Sequence, residues 1–391
     1  MKKKYGSILG VIIFSVLLSA CGTSIKENVM TNDNNVNDKN VNENNEATVT
    51  VTGELSEKDK DSFAAGIKTE EDSSEVLPDG EEKTEASPTE KEDPVTPEVT
   101  ETPENNDNES DIVINDEIEE RCPITVSTTR KDVKYGEYSH GTYYSETCGV
   151  ERGYNILLPG DYSTDKRYPV LYLLHGIFGN EFSFSQDSSN KIKEIVGNMA
   201  ADGYIEDTII VCPDMYATSD PAQKPAFDAD SCLPYDNFIN DLVNDLMPYI
   251  ENNYQVLKGR ENTYLAGFSM GGRETIFITL KKPELFGYVC AISAAPGIVA
   301  TTDKFMTHPG QLEENEVKFA EDAGELPVFI LCCGTRDSVV GKYPKSYHEL
   351  LEKNGSAHIW YEITGADHDN NAIKSGLYNL FKRIAYDKST D

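Results

Sequence analysis

The chain has 391 residues, with 35 basic and 68 acidic side chains and a net charge of −33. A balance so acidic offers nothing for nucleic acid, which needs clustered Lys and Arg to neutralise phosphates. The charge is also uneven, with 30 acidic and 7 basic residues between positions 22 and 120, so dividing the length by a typical domain size misleads.

Lys2, Lys3 and Lys4 precede an apolar segment from Ile8 to Leu18, and Ser19, Ala20 and Cys21 follow it. A basic start, a short apolar core and small residues before a cleavage point predict an export signal over residues 1–20, too short for a comfortable membrane span. The ending Leu18, Ser19, Ala20, Cys21 resembles the lipobox of bacterial lipoproteins. That resemblance implies lipidation of Cys21 and a lipid anchor at the outer face of the cell membrane.

Residues 21–120 are dense in Glu, Asp, Asn, Thr and Pro and carry almost no apolar periodicity. Such a segment cannot offset its ordering entropy by burial, which predicts a disordered acidic linker acting as a solvated stalk. Self-repulsion is expected to extend it beyond the roughly 55 Å of a flexible coil of about a hundred residues. The remaining residues, 121–391, suffice for one large core.

From Ile124 to Leu158, alternating Thr, Val and Tyr with interspersed glycines predict a few strands forming an antiparallel edge. The pattern then changes. Tyr168 to Leu174 is a continuous apolar run; Ile192, Ile195, Val196 and Met199 share a helical face; Thr208 to Cys212 is apolar again. Phe238, Ile239, Leu242, Val243, Leu246 and Ile250 predict a helix bent or interrupted by Pro248.

Further apolar runs at 263–266, 288–293, 328–333 and 359–363 alternate with helical spacings after Ser269, around Tyr347, Leu350 and Leu351, and from Ile373 to Ile384. This alternation predicts an α/β fold with a mainly parallel sheet covered by helices on both faces. Ligands of such sheets sit at the C-terminal ends of the strands. Cys212, Cys290, Cys332 and Cys333 read as small buried hydrophobes. Cys122 and Cys148 are candidates for a disulfide in an exported protein, and no CxxC pair or His-Cys cluster points to a metal.

The stretch Gly267, Phe268, Ser269, Met270, Gly271, Gly272 joins a strand to a helix. Glycines two residues before and after Ser269 permit a tight turn with the hydroxyl at its apex, which makes Ser269 a candidate nucleophile. A serine alcohol needs a base, a group to orient that base, and donors for the oxyanion. In the α/β-hydrolase order the acid and then the base follow the serine. His348 falls in a helix and His358 opens a strand, His308 precedes any plausible acid, and His140 lies in the N-terminal strands. His368, in the loop Gly365 to Asn370, is placed as the base. Asp337, after the 328–333 strand, is placed as the acid, ahead of Asp367, which immediately precedes the histidine. His175 and Gly176 follow the Tyr168 to Leu174 strand, so the N–H of Ile177, with that of Met270, is a candidate oxyanion donor, and the His175 side chain braces the loop.

The runs RGYNILLPGDY (152–162), KRYPVLYLLHGIFG (166–179), DNFINDLVNDLMPYIENNY (236–254), AGFSMGGRE (266–274), SAAPG (293–297) and ADHDNNAIKSGLYNL (366–380) resemble the family 1 carbohydrate esterases over roughly residues 140–385. These α/β-hydrolases include feruloyl and acetylxylan esterases, which remove acyl groups from plant xylan. The resemblance implies Ser269 as nucleophile, Asp337 as acid and His368 as base, with acylated polysaccharide or oligosaccharide as substrate and no cofactor or metal. Members often carry tryptophans shortly after the catalytic histidine, where this chain has Asn370 and Ile373, which leans the expectation toward acetyl groups. Tyr216, Phe227 and Tyr235 are candidate walls of the acyl site. Two other readings use the same fold: an acyltransferase with the same triad, and a non-catalytic surface glycan-binding lipoprotein.

Overall fold

The computed structural model describes residues 112–390. The signal segment, Cys21 and the linker up to residue 111 lie outside the described residues.

Strand β3 (Val170–Leu174) is apolar at every position because both of its faces are covered. Val170, Tyr172 and Leu174 enter one core cluster with Leu265, Phe238 and Ile276, while Leu171 and Leu173 enter a second with Ile195, Met199 and Phe381. Side chains of a strand alternate between faces, so one unbroken apolar run serves two cores. The same holds for β4 (Ile209–Pro213), β5 (Thr263–Phe268), β6 (Tyr288–Ile292) and β9 (Val328–Gly334).

With β1 (Tyr138–Ser145), β2 (Val150–Leu157) and β10 (Ile359–Ile363) they form an eight-stranded sheet in the order β1-β2-β4-β3-β5-β6-β9-β10. The β1-β2 and β2-β4 pairs are antiparallel and the others parallel. The expected antiparallel edge and parallel body are both present. Ile124 to Ser127 is the exception within that edge: it is a single helical turn, α1, that follows Pro123. A separate two-stranded ribbon, β7 (Thr301–Thr302) with β8 (Thr307–His308), projects from the segment after β6.

Helices α2 (Ile192–Ala201) and the C-terminal α7 (Asn370–Thr390) cover the second core, while α3 (Cys232–Asp241), α4 (Met247–Asn253), α5 (Met270–Lys281) and α6 (Tyr343–Lys353) cover the first. The expected break at Pro248 takes a different form. Leu242–Leu246 is a π-helical turn, in which the Met247 N–H bonds the Leu242 carbonyl, and the chain then continues into α4 with the proline near its start. The helical path is thus continuous through Pro248, and the widened turn falls just before the proline, which has no N–H to return to the preceding turn.

Residues 112–120, which composition assigns to the linker, pack against α7. Ile112, Ile114 and Ile118 join the second core. The Asn379 amide donates to the Glu119 carbonyl at 2.7 Å and accepts the Glu119 N–H at 3.0 Å, and Lys382 Nζ reaches the Glu117 carbonyl at 3.0 Å. Three isoleucines among carboxylates are too sparse to register as a periodic pattern. Cys122 and Cys148 are both free thiols, so the disulfide is absent. They also pack against different cores, Cys148 in the first and Cys122 beside the second.

Candidate active site

The turn after β5 is as tight as its glycines require. Ser269 has φ 60° and ψ −117°, a strained conformation for a residue with a Cβ, costing on the order of 1–3 kcal/mol. Backbone bonds hold it there: the Ser269 N–H donates to Ile292 at 3.0 Å, and the Ser269 carbonyl accepts from Arg273 at 3.0 Å and Ala295 at 2.9 Å. A Cβ on Gly267 would lie 2.2 Å from the Gly271 carbonyl oxygen, and one on Gly271 would lie 2.2 Å from that of Leu174. The glycines therefore let the start of α5 press against the ends of β3 and β5.

Asp337 and His368 come from the segments after β9 and β10. His368 Nδ1 and Asp337 Oδ2 are 2.9 Å apart, and both residues are buried. The other carboxylate oxygen accepts the N–H groups of Val339 at 3.1 Å and Val340 at 3.0 Å. Burial acts to raise the Asp337 carboxyl, but the hydrogen bond and charge of His368, with the backbone donation of Val340, outweigh it and hold the group below its ordinary value. Asp337 is thus kept ionised as an acceptor, with Nδ1 as donor and Nε2 left as the basic nitrogen. The imidazole packs on Phe268, the neighbour of Ser269, with ring centroids 4.4 Å apart.

The segment after β3 approaches the serine directly: a Cβ on Gly176 would stand 3.3 Å from Ser269 Cβ and 3.7 Å from its Oγ. Ile177 follows, and Met270 is the first residue of α5, whose N-terminal N–H groups and dipole favour negative charge. His175 braces this loop as expected. Its Nε2 accepts the Met215 N–H at 3.0 Å, so Nδ1 carries the proton and donates to the Gly176 carbonyl at 2.7 Å. The Met215 turn is fixed in its own right by buried Arg152, whose guanidinium bonds the carbonyls of Asp214 and Tyr216 and pairs with Asp241 at 2.9 Å. Among the described residues no group of three or more His, Cys, Asp or Glu is placed to hold a metal ion.

The sequence profile of the Esterase family matches residues 145–367, more than half of the chain. The chain belongs to the Esterase family. It is 42% identical to a CE1 ferulic acid esterase from Anaeromyces mucronatus solved in complex with ferulic acid, with a TM-score of 0.65 over 69% of this chain and 98% of that one. It is also 35% identical over 164 residues to an endo-1,4-beta-xylanase/feruloyl esterase from Xylanibacter ruminicola, a match to 41% of this chain but 22% of that protein. An endo-1,4-beta-xylanase Y from Acetivibrio thermocellus is 26% identical over 36% of this chain and 12% of its own length.

Three half-buried phenylalanines of this esterase form a row across three separate loops. Phe178, one residue beyond Ile177, meets Phe227 edge-on at 4.9 Å, and Phe227 stacks on Phe305 at 4.8 Å. Phe305 sits on the ribbon, where its neighbour Lys304 donates to the Ser338 carbonyl, beside Asp337, at 2.8 Å. Of the three candidate walls, only Phe227 is half-buried rather than buried. Tyr235 is fully buried behind the loop, with its hydroxyl accepting the Phe178 N–H at 3.3 Å, and Tyr216 packs on it. Phe178 and Phe305 went unmarked in the sequence because isolated aromatics in loops carry no period.

Asn370 and Ile373 bear on the site less than their sequence position implies. Ile373 is buried in the second core, and Asn370 donates to Asp187 at 3.0 Å and to Ser189. His308, His348 and His358 have structural partners: Asp303 lies 3.2 Å from His308, and His348 and His358 lie 2.8 Å from each other.

Proposed function

We propose that this chain is a serine esterase that removes feruloyl groups, and less readily acetyl groups, from xylan. The Asp337–His368 pair at 2.9 Å, packed against the neighbour of a strained serine, carries the reading. His368 takes the Ser269 proton as Oγ attacks the ester carbonyl. The N–H groups of Met270 and Ile177 hold the tetrahedral oxyanion, the sugar alcohol leaves with a proton from His368, and water then releases the acid from the acyl-enzyme. The Phe178, Phe227 and Phe305 row, with Phe178 edge-on to Phe227 and Phe227 stacked on Phe305, offers aromatic surface to a hydroxycinnamoyl ring and little to an acetyl group. The names of the 42% identical ferulic acid esterase and of the xylanase/feruloyl esterase support that acyl group and polymer.

The purified protein is expected to turn over methyl ferulate with a higher kcat/KM than acetylated xylan. Phe227→Ala is expected to raise the KM for methyl ferulate about tenfold, the loss of one aromatic contact, and to leave acetyl release unchanged. Preference for acetylated xylan overturns the feruloyl assignment; inactivity on both overturns the esterase reading.

Export and lipid attachment at Cys21 form part of the same proposal, since a tether suits an enzyme working on bulky polymer outside the cell. Cys21→Ser is expected to move the protein from the membrane fraction to the medium or the soluble envelope fraction. Unchanged membrane association of that variant removes the anchor.

A further inference from the structure

Asp367 stands immediately before His368, yet its carboxylate serves a different end from that of Asp337. Asp367 Oδ1 accepts the Ser338 N–H at 2.7 Å, the Ser338 hydroxyl at 3.0 Å and the His368 N–H at 2.8 Å. Ser338 is the residue after Asp337. One oxygen therefore holds the main chain next to the acid and the main chain of the base.

This matters because the sheet stops short of both. The pairing of β9 with β10 ends at Gly334 opposite Ile363, three residues before Asp337 and five before His368. Beyond that point the two loops are tied by Thr335 N–H to Ile363 at 3.0 Å, Arg336 N–H to Ala366 at 3.0 Å, and Gly365 N–H to the Thr335 hydroxyl at 2.9 Å. The Asp367 clasp is the outermost tie and lies nearest the imidazole. Partial burial acts to raise its carboxyl, but donation from the Ser338 and His368 backbones prevails and lowers it, as expected for a group that accepts several bonds while ionised.

We propose that Asp367 is a positioning residue, which sets the spacing of the Asp337 carboxylate and the His368 imidazole by holding Ser338 and His368 on a single oxygen. The proposal rests on the assignment of those two side chains as acid and base. With Asp367 removed, the loops keep their inner ties but the imidazole gains freedom relative to its partner. Rate then falls without loss of substrate affinity, because the clasp bonds Ser338 and His368 and not Phe178, Phe227 or the oxyanion loop.

In the full chain, Asp367→Ala is expected to lower kcat on methyl ferulate about tenfold to a hundredfold, the usual effect of sub-ångström to ångström misplacement, with KM within about twofold. Fluorophosphonate labelling of Ser269 slows in parallel. Asp367→Asn retains an oxygen acceptor in the same place and is expected to recover most of the rate. An Asp367→Ala protein with full kcat overturns the proposal. So does an Asn variant as slow as the Ala variant, which would assign the effect to charge rather than to the clasp. His368→Ala, measured alongside, separates the two readings. If it is inactive while Asp367→Ala is fully active, only the positioning role falls; if it is active, the acid and base assignment falls and the proposal with it.

Discussion

Ser269→Ala is expected to lower turnover of methyl ferulate by on the order of a millionfold, the scale seen when the nucleophile of a serine triad is removed, and to abolish labelling by a fluorophosphonate. The fold should survive. The backbone bonds to Ile292, Arg273 and Ala295 that shape the turn involve only main-chain atoms of the serine. Residual activity should resemble that of an oxyanion site with no attacking group, a small acceleration over water. Undiminished turnover would falsify the assignment of the nucleophile. A wild-type protein that never reacts with the probe would favour a non-catalytic glycan-binding role for the same fold. Product analysis with an added alcohol acceptor tests the remaining alternative: the acid accumulates from an esterase, a new ester from an acyltransferase.

Arg273→Ala is expected to have the largest effect on stability. Arg273 directly follows the Ser269 to Gly272 turn on α5 and is wholly buried, with Nη1 2.7 Å from Glu274 and Nη2 2.7 Å from Asp236 of α3. Gln311, beyond the ribbon, donates to Asp236 and to Glu274, both at 3.0 Å. Burial pushes the Glu274 carboxyl up to about 8 against the opposing pull of Arg273, and it raises Asp236 as well. Removing the guanidinium leaves the carboxyl groups of Asp236 and Glu274 without their buried cationic partner in a poorly solvated place, which costs about 3–5 kcal/mol. For a domain of this size that corresponds to a fall of about 10 °C in Tm.

The same cluster gives the stability a pH dependence of definite sign. The folded-state value for Glu274, about 8, lies above the 4.5 of an unperturbed glutamate, so between these values the folded protein binds a proton that the unfolded chain has released. Its contribution is fully present below about 4.5 and is lost as pH rises through about 8. Glu274→Gln, which cannot ionise, should flatten that slope. Thermal unfolding of the three proteins between pH 5 and about 9 checks both statements. An Arg273→Ala protein within 2 °C of the parent in Tm, or a Gln variant with the parent's full slope, would show that the cluster is neither the anchor nor the titrating group.

The fold was largely legible because a parallel sheet leaves a plain record. Strands buried on both faces must be apolar throughout, as β3 and β9 are, and the helices between them must carry one apolar face. The π-helical turn before Pro248 was not legible, since a widened turn changes which carbonyl a donor reaches without changing the apolar spacing. The packing of Ile112, Ile114 and Ile118 on α7 was hidden by the carboxylates around them. The supposed pairing of Cys122 with Cys148 had only their number and an exported setting behind it, and the two sit against different cores.

At the site, chain order offered Ser269, Asp337 and His368 as candidates, because each stands just beyond a strand of the parallel sheet. Sequence order alone therefore determined which residue types reach the C-terminal edge and in what succession. Tertiary structure decided which of the neighbouring side chains act together. Asp337, 31 positions from His368, meets its imidazole, while Asp367, next in the chain, turns its carboxylate to two backbone N–H groups. It also gathered Phe178, Phe227 and Phe305 from three separate loops into one row. Hydrogen bonds and ring contacts depend on distances in space, and where the chain leaves the regular spacing of strand and helix, its order no longer encodes them.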